Sequence, residues 1–412
     1  MALCLTDRIA RLACAATGRD TSLFTKDIAA RHAALRQAVS GRRVLVVGGA
    51  GSIGAATIVQ LAGLDPAGLA VLDLNENNLT ELIRHLRARP GGFRPDLAVA
   101  PIDYGSPLAA AWLAGQRPFD LVWSFAAMKH VRSERDPVST LRLLDVNIAA
   151  AGRFLRACAD HGHGRHGVFL VSTDKAADPV GLMGASKRAM EQLLWTRPGL
   201  GRVTTTRFAN VAFSDGSLPW GFLQRLAKGQ PLAAPADVRR YLVTPQESGE
   251  LCLLAALAAP DRHVLIPRLD PAQHTADFLH IAQVVLADAG LEPAWFDDEA
   301  AALAAVGAHA AVGIQPGRWP VLRTRADTAG EKTQEIFVAD GETAVETGLH
   351  AALAIPARAI PAQAVDGLCT WIESAMSGRI PMPGQTAIID QLRTVVPELR
   401  HAASVKSLDA RL

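Results

Sequence analysis

Short apolar runs alternate with helical segments through the first half of the chain. Runs of this kind predict buried strands, and they fall at 43–47, 69–72, 97–102, 119–124, 167–172 and 203–208. Helical patterns, such as the one over 52–61, lie between most of these runs. The alternation predicts an α/β fold with a doubly wound parallel sheet, followed by a smaller, mainly helical C-terminal part.

Composition excludes several classes of function. The 412-residue chain carries a formal net charge of +2 and no block of like charge, so binding to nucleic acid is not expected. No apolar stretch reaches the ~18 to 20 residues that span a bilayer. Asp7, Arg8 and Arg11 interrupt the apolar segment that a secretory signal would need. The cysteines are scattered, without metal or redox spacing. We therefore expect a cytoplasmic protein with reduced cysteines and no membrane insertion.

A glycine-rich segment, Gly48-Gly-Ala-Gly51-Ser-Ile-Gly54, directly follows the first predicted strand and opens a helix. Such a turn needs glycine because the backbone must approach a pyrophosphate closely while the helix N-terminus supplies N–H groups. Asp73 ends the second strand, where its carboxylate would accept hydrogen bonds from ribose hydroxyls and repel a ribose phosphate, which favours NAD over NADP. The alternative is a purely structural turn, with Asp73 capping the next segment.

Polar and charged side chains end the fifth predicted strand. Thr173, Asp174 and Lys175 are consecutive there, and Lys187 lies on the helix that follows. The carboxyl ends of the strands form the ligand crevice of a doubly wound sheet, so these groups are placed for chemistry. The alternative is a buried Asp–Lys ion pair, which is less favoured because adjacent side chains at a strand end normally diverge.

Five short motifs together resemble one known enzyme family. They are the glycine segment 48–54, the segment 73–79, Ala126-Ala-Met-Lys-His-Val131, Ser172-Thr-Asp-Lys-Ala176 and Met183-Gly-Ala-Ser-Lys187. In this order they resemble the nucleotide-sugar 4,6-dehydratases of the extended short-chain dehydrogenase/reductase superfamily, in the branch that makes bacterial surface polysaccharide precursors. The likeness covers residues 42–250, with a weaker match at Gly330-Glu-Lys332.

One position departs from the wider superfamily. Short-chain dehydrogenases usually carry Tyr-x-x-x-Lys, but Met183 stands where the tyrosine would be, and neither Tyr104 nor Tyr241 has a lysine at that spacing. A thioether cannot act as a general base. The resemblance is therefore to the subgroup with Met-x-x-x-Lys, in which the acid–base work falls to the Thr-Asp-Lys triplet.

This resemblance implies a mechanism without net use of NAD. Hydride passes from sugar C4 to NAD while a base, assigned to Asp174, takes the C4 hydroxyl proton. Lys175, if burial keeps its amine neutral, removes the C5 proton, Asp174 protonates the departing C6 hydroxyl, and hydride returns to C6. The reverse division of the two roles fits the sequence equally well. Lys187 is expected to hold the nicotinamide ribose, and Thr173 the C4 oxygen.

The same comparison assigns binding residues. The cofactor contacts are Gly48, Gly51, Ser52, Ile53, Gly54, Asp73, Asp103, Ala126 and Lys187. The substrate contacts are Lys129, His130, Met183, Asn210 and Arg240. Asp103 is expected to contact the adenine, although a generic loop acid explains it nearly as well. Arg207 is interpreted equally well as a structural ion-pair partner. The family's usual diphosphate arginine is replaced by Thr328, so that role would pass to Arg323 or Arg325.

A histidine cluster precedes the fifth strand. His161, His163 and His166 lack an acidic or cysteine partner, and the implied mechanism needs no metal. We expect a solvated loop there and no metal site.

Four parts are expected along the chain. Residues 1–41 form a helical N-terminal extension, 42–210 an NAD-binding Rossmann domain with the catalytic residues, and 211–345 a substrate-binding region. Residues 346–412 form a helical C-terminal extension without an interpretable motif. We expect a homo-oligomer, for which the N-terminal extension offers a surface, although that extension can equally pack on its own chain.

Three functions are compatible with these observations. The resemblance favours NAD-dependent 4,6-dehydration of a nucleotide-activated N-acetylhexosamine, UDP-N-acetylglucosamine before others, to a 4-keto-6-deoxy sugar nucleotide, with the C5 configuration open. A 4-epimerase needs only hydride transfer at C4, so the pair of Asp174 and Lys175 argues against it. A catalytically silent NAD-binding regulator suits the missing tyrosine but leaves that pair and Lys187 unexplained.

Overall fold

The computed structural model describes residues 2–89, 92–93, 95–129, 134, 136–309, 317–325, 335–358 and 360–401. Strands and helices alternate through most of this length. The strands are β1 (Arg43–Val47), β2 (Gly68–Leu72), β3 (Asp96–Ala100), β4 (Leu121–Ser124), β5 (Gly167–Val171), β6 (Val203–Thr206), β7 (Asn210–Val211), β8 (Leu232–Pro235), β9 (Arg239–Val243), β10 (His263–Pro267), β11 (Thr275–Asp277), β12 (Glu292–Phe296), β13 (Arg318–Thr324), β14 (Val345–Glu346) and β15 (Ala352–Pro356).

Helices connect most of these strands. They are α1 (Ala2–Thr17), α2 (Thr25–Val39), α3 (Ser52–Leu61), α4 (Glu76–Arg87), α5 (Pro107–Ala114), α6 (Pro137–Leu144), α7 (Ala150–Asp160), α8 (Leu182–Thr196), α9 (Leu218–Ala227), α10 (Pro245–Leu257), α11 (Pro271–His274), α12 (Phe278–Asp288), α13 (Glu299–His309), α14 (Ala362–Met376) and α15 (Gln385–Arg393). None of the described helices combines the length and the apolar character needed to cross a bilayer.

A nine-stranded sheet, in the order β14-β15-β10-β6-β5-β4-β1-β2-β3, forms the centre of the fold. All neighbours from β10 to β3 run parallel, and they include the six strands predicted from the sequence. The predicted doubly wound α/β fold is therefore confirmed. The direction of winding reverses between β1 and β4, so the carboxyl ends of these two strands flank the crevice in which such sheets bind ligands.

The central strands are buried on both faces. Along β1, Val44 and Val46 join one apolar cluster while Leu45 and Val47 join the other. The first cluster includes residues of α2, α3 and α10, and the second includes residues of α7, α8 and α14. Strands covered on both faces are apolar at every position, which is why short continuous apolar runs marked them in the sequence.

The sheet extends past the predicted domain boundary at residue 210. β10 pairs in parallel with β6, and β15 pairs antiparallel with β10. The C-terminal part, predicted as helical from residue 346, thus contributes a buried strand before α14 and α15. Its alanine-rich composition favours a helix locally, but β10 would otherwise leave a row of backbone N–H and C=O groups unpaired at the sheet edge.

The N-terminal extension packs on its own chain. On α1, Leu12 belongs to an apolar cluster with Phe222 and Ile281, which lie on α9 and α12. On α2, the Asp27 carboxylate accepts backbone hydrogen bonds from His350 at 2.6 Å and from Ala351 at 2.8 Å. Of the two roles expected for this segment, packing is the one that the structure shows.

His163 corrects the expectation of a solvated histidine loop. Its side chain is fully buried, its Nδ1 accepts a hydrogen bond from the Phe119 N–H at 3.0 Å, and its Nε2 lies 3.1 Å from the carbonyl oxygen of Leu113. Burial lowers the pKa of this imidazole, and the pattern of partners fits the neutral ring. His163 therefore satisfies backbone groups beside β4, whereas His161 and His166 are exposed.

Candidate active site

The glycine segment closes tightly around the carboxyl end of β1. Gly48 has a φ of +67°, and a Cβ at this position would lie 2.6 Å from the backbone nitrogen of Ala126, just after β4. A Cβ at Gly54 would lie 2.4 Å from the carbonyl oxygen of Gly48. Gly51 occupies the N-cap position of α3, so no side chain covers the first N–H groups of that helix. These N–H groups are suited to a phosphate or pyrophosphate.

Asp73 ties this loop to the tip of β2. Its Oδ2 accepts a hydrogen bond from the Ala50 N–H at 3.0 Å, and its Oδ1 accepts one from the Asn75 N–H at 3.0 Å. The carboxylate is only partly buried, and each of its oxygens keeps a second lone pair. The loop and Asp73 therefore fit the pyrophosphate and ribose of NAD, while a ribose phosphate would meet a negative charge.

Asp103 lies beyond β3. Its Oδ1 accepts a hydrogen bond from the Gly105 N–H at 3.0 Å, and its Oδ2 lies 3.4 Å from Arg142. These contacts explain it as a loop acid, and its assignment to the adenine stays a prediction.

The candidate catalytic pair lies in the turn that follows β5. Thr173 donates a hydrogen bond from Oγ1 to Oδ1 of Asp174 at 2.7 Å. The Lys175 ammonium lies 3.4 Å from each carboxylate oxygen of Asp174. Asp174 is 5% exposed, whereas the Lys175 side chain is 40% exposed, so the burial that was expected to keep this amine neutral is not found. Adjacent side chains were expected to diverge, but a single turn of 3-10 helix over Asp174–Ala176 brings them together.

Lys187 lies on α8, one turn after Met183. It is 4% exposed, and its ammonium donates a hydrogen bond to the carbonyl oxygen of Val171, the last residue of β5, at 2.8 Å. Burial lowers the pKa of Lys187 to about 8, although the nearby Glu191 carboxylate opposes this shift. Lys187 is thereby fixed at the same strand end as Asp174.

Two further side chains hold α8 in place, and sequence reasoning missed both. Asn147 lies in a π-helical turn, Asp145–Ala149; its amide exchanges two hydrogen bonds with the Met128 backbone and donates a third to Ser186, each at 2.9 Å. Glu134 accepts hydrogen bonds from the N–H groups of Leu182 and Met183 at 2.8 and 2.9 Å. The available signal for Asn147 was an amide within an apolar helical run, since π-helical turns are frequent at functional sites.

The substrate-side residues Asn210 and Arg240 lie on the neighbouring strands β7 and β9. Asn210 donates from Nδ2 to Oε1 of Glu335 at 2.8 Å, and Nε of Arg240 lies 3.4 Å from the same oxygen. Lys129 is exposed after β4. The described residues do not include His130, Thr328 or the weaker family match at 330–332.

Arg323 of β13, offered as a replacement for the diphosphate arginine, instead forms an ion pair at 2.6 Å with Asp297, which directly follows β12. Arg325 remains a prediction.

Arg207 has the structural role that the sequence left open. The guanidinium is fully buried just after β6 and pairs with Glu191 at 2.6 Å and with Glu342 at 2.6 Å. Burial alone would raise the pKa of Glu342, but its hydrogen bond to Arg207 lowers the pKa to about 2. Glu191 also accepts a hydrogen bond from Ser172 at 2.6 Å. This buried charge cluster thus holds Ser172, the residue before Thr173 and the candidate catalytic pair.

The glycine loop, the switch point beside it and the lysine of α8 define an extended short-chain dehydrogenase/reductase. Within this class the chain belongs to the polysaccharide biosynthesis protein family, which matches residues 44–318. The family-level resemblance seen in the sequence is therefore confirmed.

Individual relatives match parts of the chain. It is 29% identical over 239 residues to the probable polysaccharide biosynthesis protein EpsC of Bacillus subtilis (strain 168), covering 55% of this chain and 38% of that protein. It is 26% identical over 250 residues to a UDP-N-acetylglucosamine 4,6-dehydratase (inverting) of Campylobacter jejuni subsp. jejuni serotype O:23/36 (strain 81-176), covering 58% and 71%. The chain therefore spans well under half the length of the first relative.

Solved structures share the fold. Pen from Bacillus thuringiensis superposes with a TM-score of 0.58 at 18% identity, covering 81% of this chain and 98% of that chain. At this level of identity, the likeness supports the architecture of the sheet and its helices.

Proposed function

We propose that the protein is an NAD-dependent 4,6-dehydratase of a nucleotide-activated N-acetylhexosamine. Its substrate in this proposal is UDP-N-acetylglucosamine, and its product is a 4-keto-6-deoxy sugar nucleotide for surface glycan synthesis. The observation that carries the proposal is the contact between Asp174 and Lys175 at the end of β5, beside Lys187. The Campylobacter jejuni relative, whose name states this reaction, gives independent support.

NAD would lie across the glycine loop, with Asp73 at its adenosine ribose and Lys187 at its nicotinamide ribose. Bound NAD supplies a reversible hydride acceptor. Lys187 is already fixed by the Val171 carbonyl, so its other N–H donors can hold ribose hydroxyls. Its pKa of about 8 leaves most of the ammonium charged at neutral pH.

Asp174 and Lys175 divide the proton transfers in this proposal. Thr173 already donates to Oδ1 of Asp174, which leaves Oδ2 to accept a proton from the sugar C4 hydroxyl. Lys175 is the more exposed partner. In its neutral form its amine would take the proton from C5 and return it to C5 once hydride is back at C6, so that the lysine ends in its starting protonation state. The carboxylic acid of Asp174 then donates its proton to the departing C6 oxygen.

This pair is also what separates the proposal from a 4-epimerase. Epimerisation at C4 requires no elimination across C5 and C6. A 4-epimerase would therefore have no use for a lysine beside Asp174. A silent NAD-binding regulator would need neither side chain. The test must therefore detect loss of water from the sugar.

The direct test incubates UDP-N-acetylglucosamine with the purified protein and NAD, followed by borodeuteride trapping and mass spectrometry. We expect a product lighter by one water, with no accumulation of NADH. Asp174→Asn and Lys175→Ala should each lower turnover by roughly 1,000-fold while NAD binding is unchanged, since positioned acid–base groups contribute about 100- to 10,000-fold.

Lys228→Ala, which removes an exposed lysine after α9, serves as the matched control. Wild-type turnover in both site variants would contradict the assignment. Unchanged mass with altered C4 configuration would indicate an epimerase instead. NAD binding without any change to this or other hexosamine nucleotides would favour the regulator.

A further inference from the structure

Glu335 is a buried acid on the substrate side of the crevice. Its side chain is 6% exposed. Besides the contacts of its Oε1 with Asn210 and Arg240, its Oε2 accepts a hydrogen bond from the Tyr241 N–H at 3.4 Å. One carboxylate therefore touches both strands that carry the proposed substrate contacts.

The segment that carries Glu335 is anchored to the central sheet. Arg207 donates from Nη1 to the carbonyl oxygen of Phe337 at 3.0 Å and pairs with Glu342 a few residues further on. The ring of Phe337 packs against Tyr241, with 5.7 Å between the ring centroids. Arg207 thus holds the backbone two residues after Glu335, through a buried network in which the charges are paired with one another.

The charges around Glu335 connect it with the catalytic turn. Burial raises its pKa, the charge of Asp174 adds to this effect, and Arg240 opposes it. The charge of Asp174 therefore acts on the same carboxylate that contacts Asn210 on β7 and Arg240 on β9.

We propose that Glu335 is a positioning residue for substrate binding, which fixes the amide of Asn210 and the guanidinium of Arg240 for the nucleoside diphosphate part of a nucleotide sugar. This inference rests on the proposed function for the identity of the ligand. Long polar side chains lose rotamer freedom when they bind, and a partner that holds them beforehand reduces that loss. A carboxylate also compensates the buried guanidinium while no anion is bound.

The test compares UDP binding by calorimetry in the NAD-loaded wild type, Glu335→Gln and Glu335→Ala. We expect the Kd of UDP to rise about tenfold in the alanine variant and about threefold in the glutamine variant, since Gln keeps an acceptor for Asn210 but no charge for Arg240. KM for the nucleotide sugar should rise in parallel, with kcat changed less than about twofold. NAD affinity should stay at the wild-type value in both variants.

The matched control is Glu346→Gln. Glu346 is an exposed acid in β14, on the same segment as Glu335, and it pairs with Arg268, which follows β10 near the edge of the central sheet. Its UDP affinity should equal that of the wild type. Unchanged UDP affinity in both Glu335 variants would overturn the inference. Tighter UDP binding would also overturn it, because Glu335 would then compete with phosphate for Arg240.

Failure of the proposed function gives a different result. Weaker UDP binding in the Glu335 variants, with no dehydration by the wild type, would support the positioning role and contradict the dehydratase. A wild type that binds no UDP would overturn both. Parallel losses of NAD affinity and melting temperature would show a merely structural role and overturn the inference.

Discussion

The cofactor side and the proposed substrate side of the crevice are built in opposite ways. On the cofactor side, the segment Gly48–Gly54 shapes a surface of backbone N–H groups, and Asp73 holds it through one backbone contact, with the Ala50 N–H. On the substrate side, Asn210, Arg240 and Glu335 come from distant points in the chain and meet through their side chains. A local segment can be read from a motif, whereas a set of distant side chains is assembled only by the fold.

The largest expected effect is the loss of NAD binding in Gly54→Ala, a substitution confined to the cofactor side. The new Cβ would lie 2.4 Å from a backbone oxygen that cannot move aside, so the loop must open. We expect the Kd of NAD to rise by about 1,000-fold, equivalent to about 4 kcal/mol. Calorimetry with NAD measures this effect, and UDP binding should change far less.

Gly63→Ala is the control for this variant, because a Cβ at Gly63 would meet no atom within 4 Å. If Gly54→Ala bound NAD within threefold of the wild type, the close approach would not be what shapes the cofactor side.

On the proposed substrate side, a substitution in the buried charge cluster should lower both stability and UDP binding. Glu342→Gln removes one of the two carboxylates of Arg207, and we expect the free energy of unfolding to fall by about 3 kcal/mol because a buried cation loses a partner. Urea denaturation measures the change. Glu346→Gln, at an exposed ion pair, should cost less than about 0.5 kcal/mol.

This prediction sharpens the comparison when both ligands are measured. NAD binding should survive Glu342→Gln while UDP binding weakens. Equal losses of the two affinities would show that the crevice is one cooperative unit.

The smallest expected effect is a pH dependence of the difference in unfolding free energy between the wild type and Glu342→Gln. The pKa of Glu342 in the folded protein, about 2, lies below the value of about 4.3 in an unfolded chain. Its contribution to stability is therefore complete above the unfolded value and is lost as pH falls toward 2. The stability gap between wild type and Glu342→Gln should shrink by about 1 to 2 kcal/mol between pH 6 and pH 3.

Denaturation curves recorded at several pH values would measure this gap. A gap that grows on acidification would contradict the assigned charge of Glu342.

Sequence reasoning predicted the parts of the fold that depend on local pattern. The parallel strands appeared as apolar runs because burial on both faces restricts their residues to apolar types. The glycine segment appeared as a spacing because close approach of the backbone requires glycine at fixed positions. The strand β15 could not be found this way, because its pairing with β10 is decided by the sheet edge and not by its own alanine-rich sequence.

The side chains that hold the site were hidden for a related reason. Glu335 and Glu134 are single acids in segments without periodicity, and their roles depend on partners far away along the chain. The pair of Asp174 and Lys175 was found as candidate chemistry, but its contact depends on a single turn of 3-10 helix that no spacing revealed.

The contact of Asp27 with the backbone of His350 and Ala351 links positions more than 300 residues apart. During synthesis, β1 to β6 leave the ribosome long before β15 exists, so the growing chain carries an open sheet edge. Open edges pair readily with other chains. We expect the last strand, held in place by Asp27 of α2, to be the step that removes this hazard, and newly made chains to be most prone to aggregation just before it.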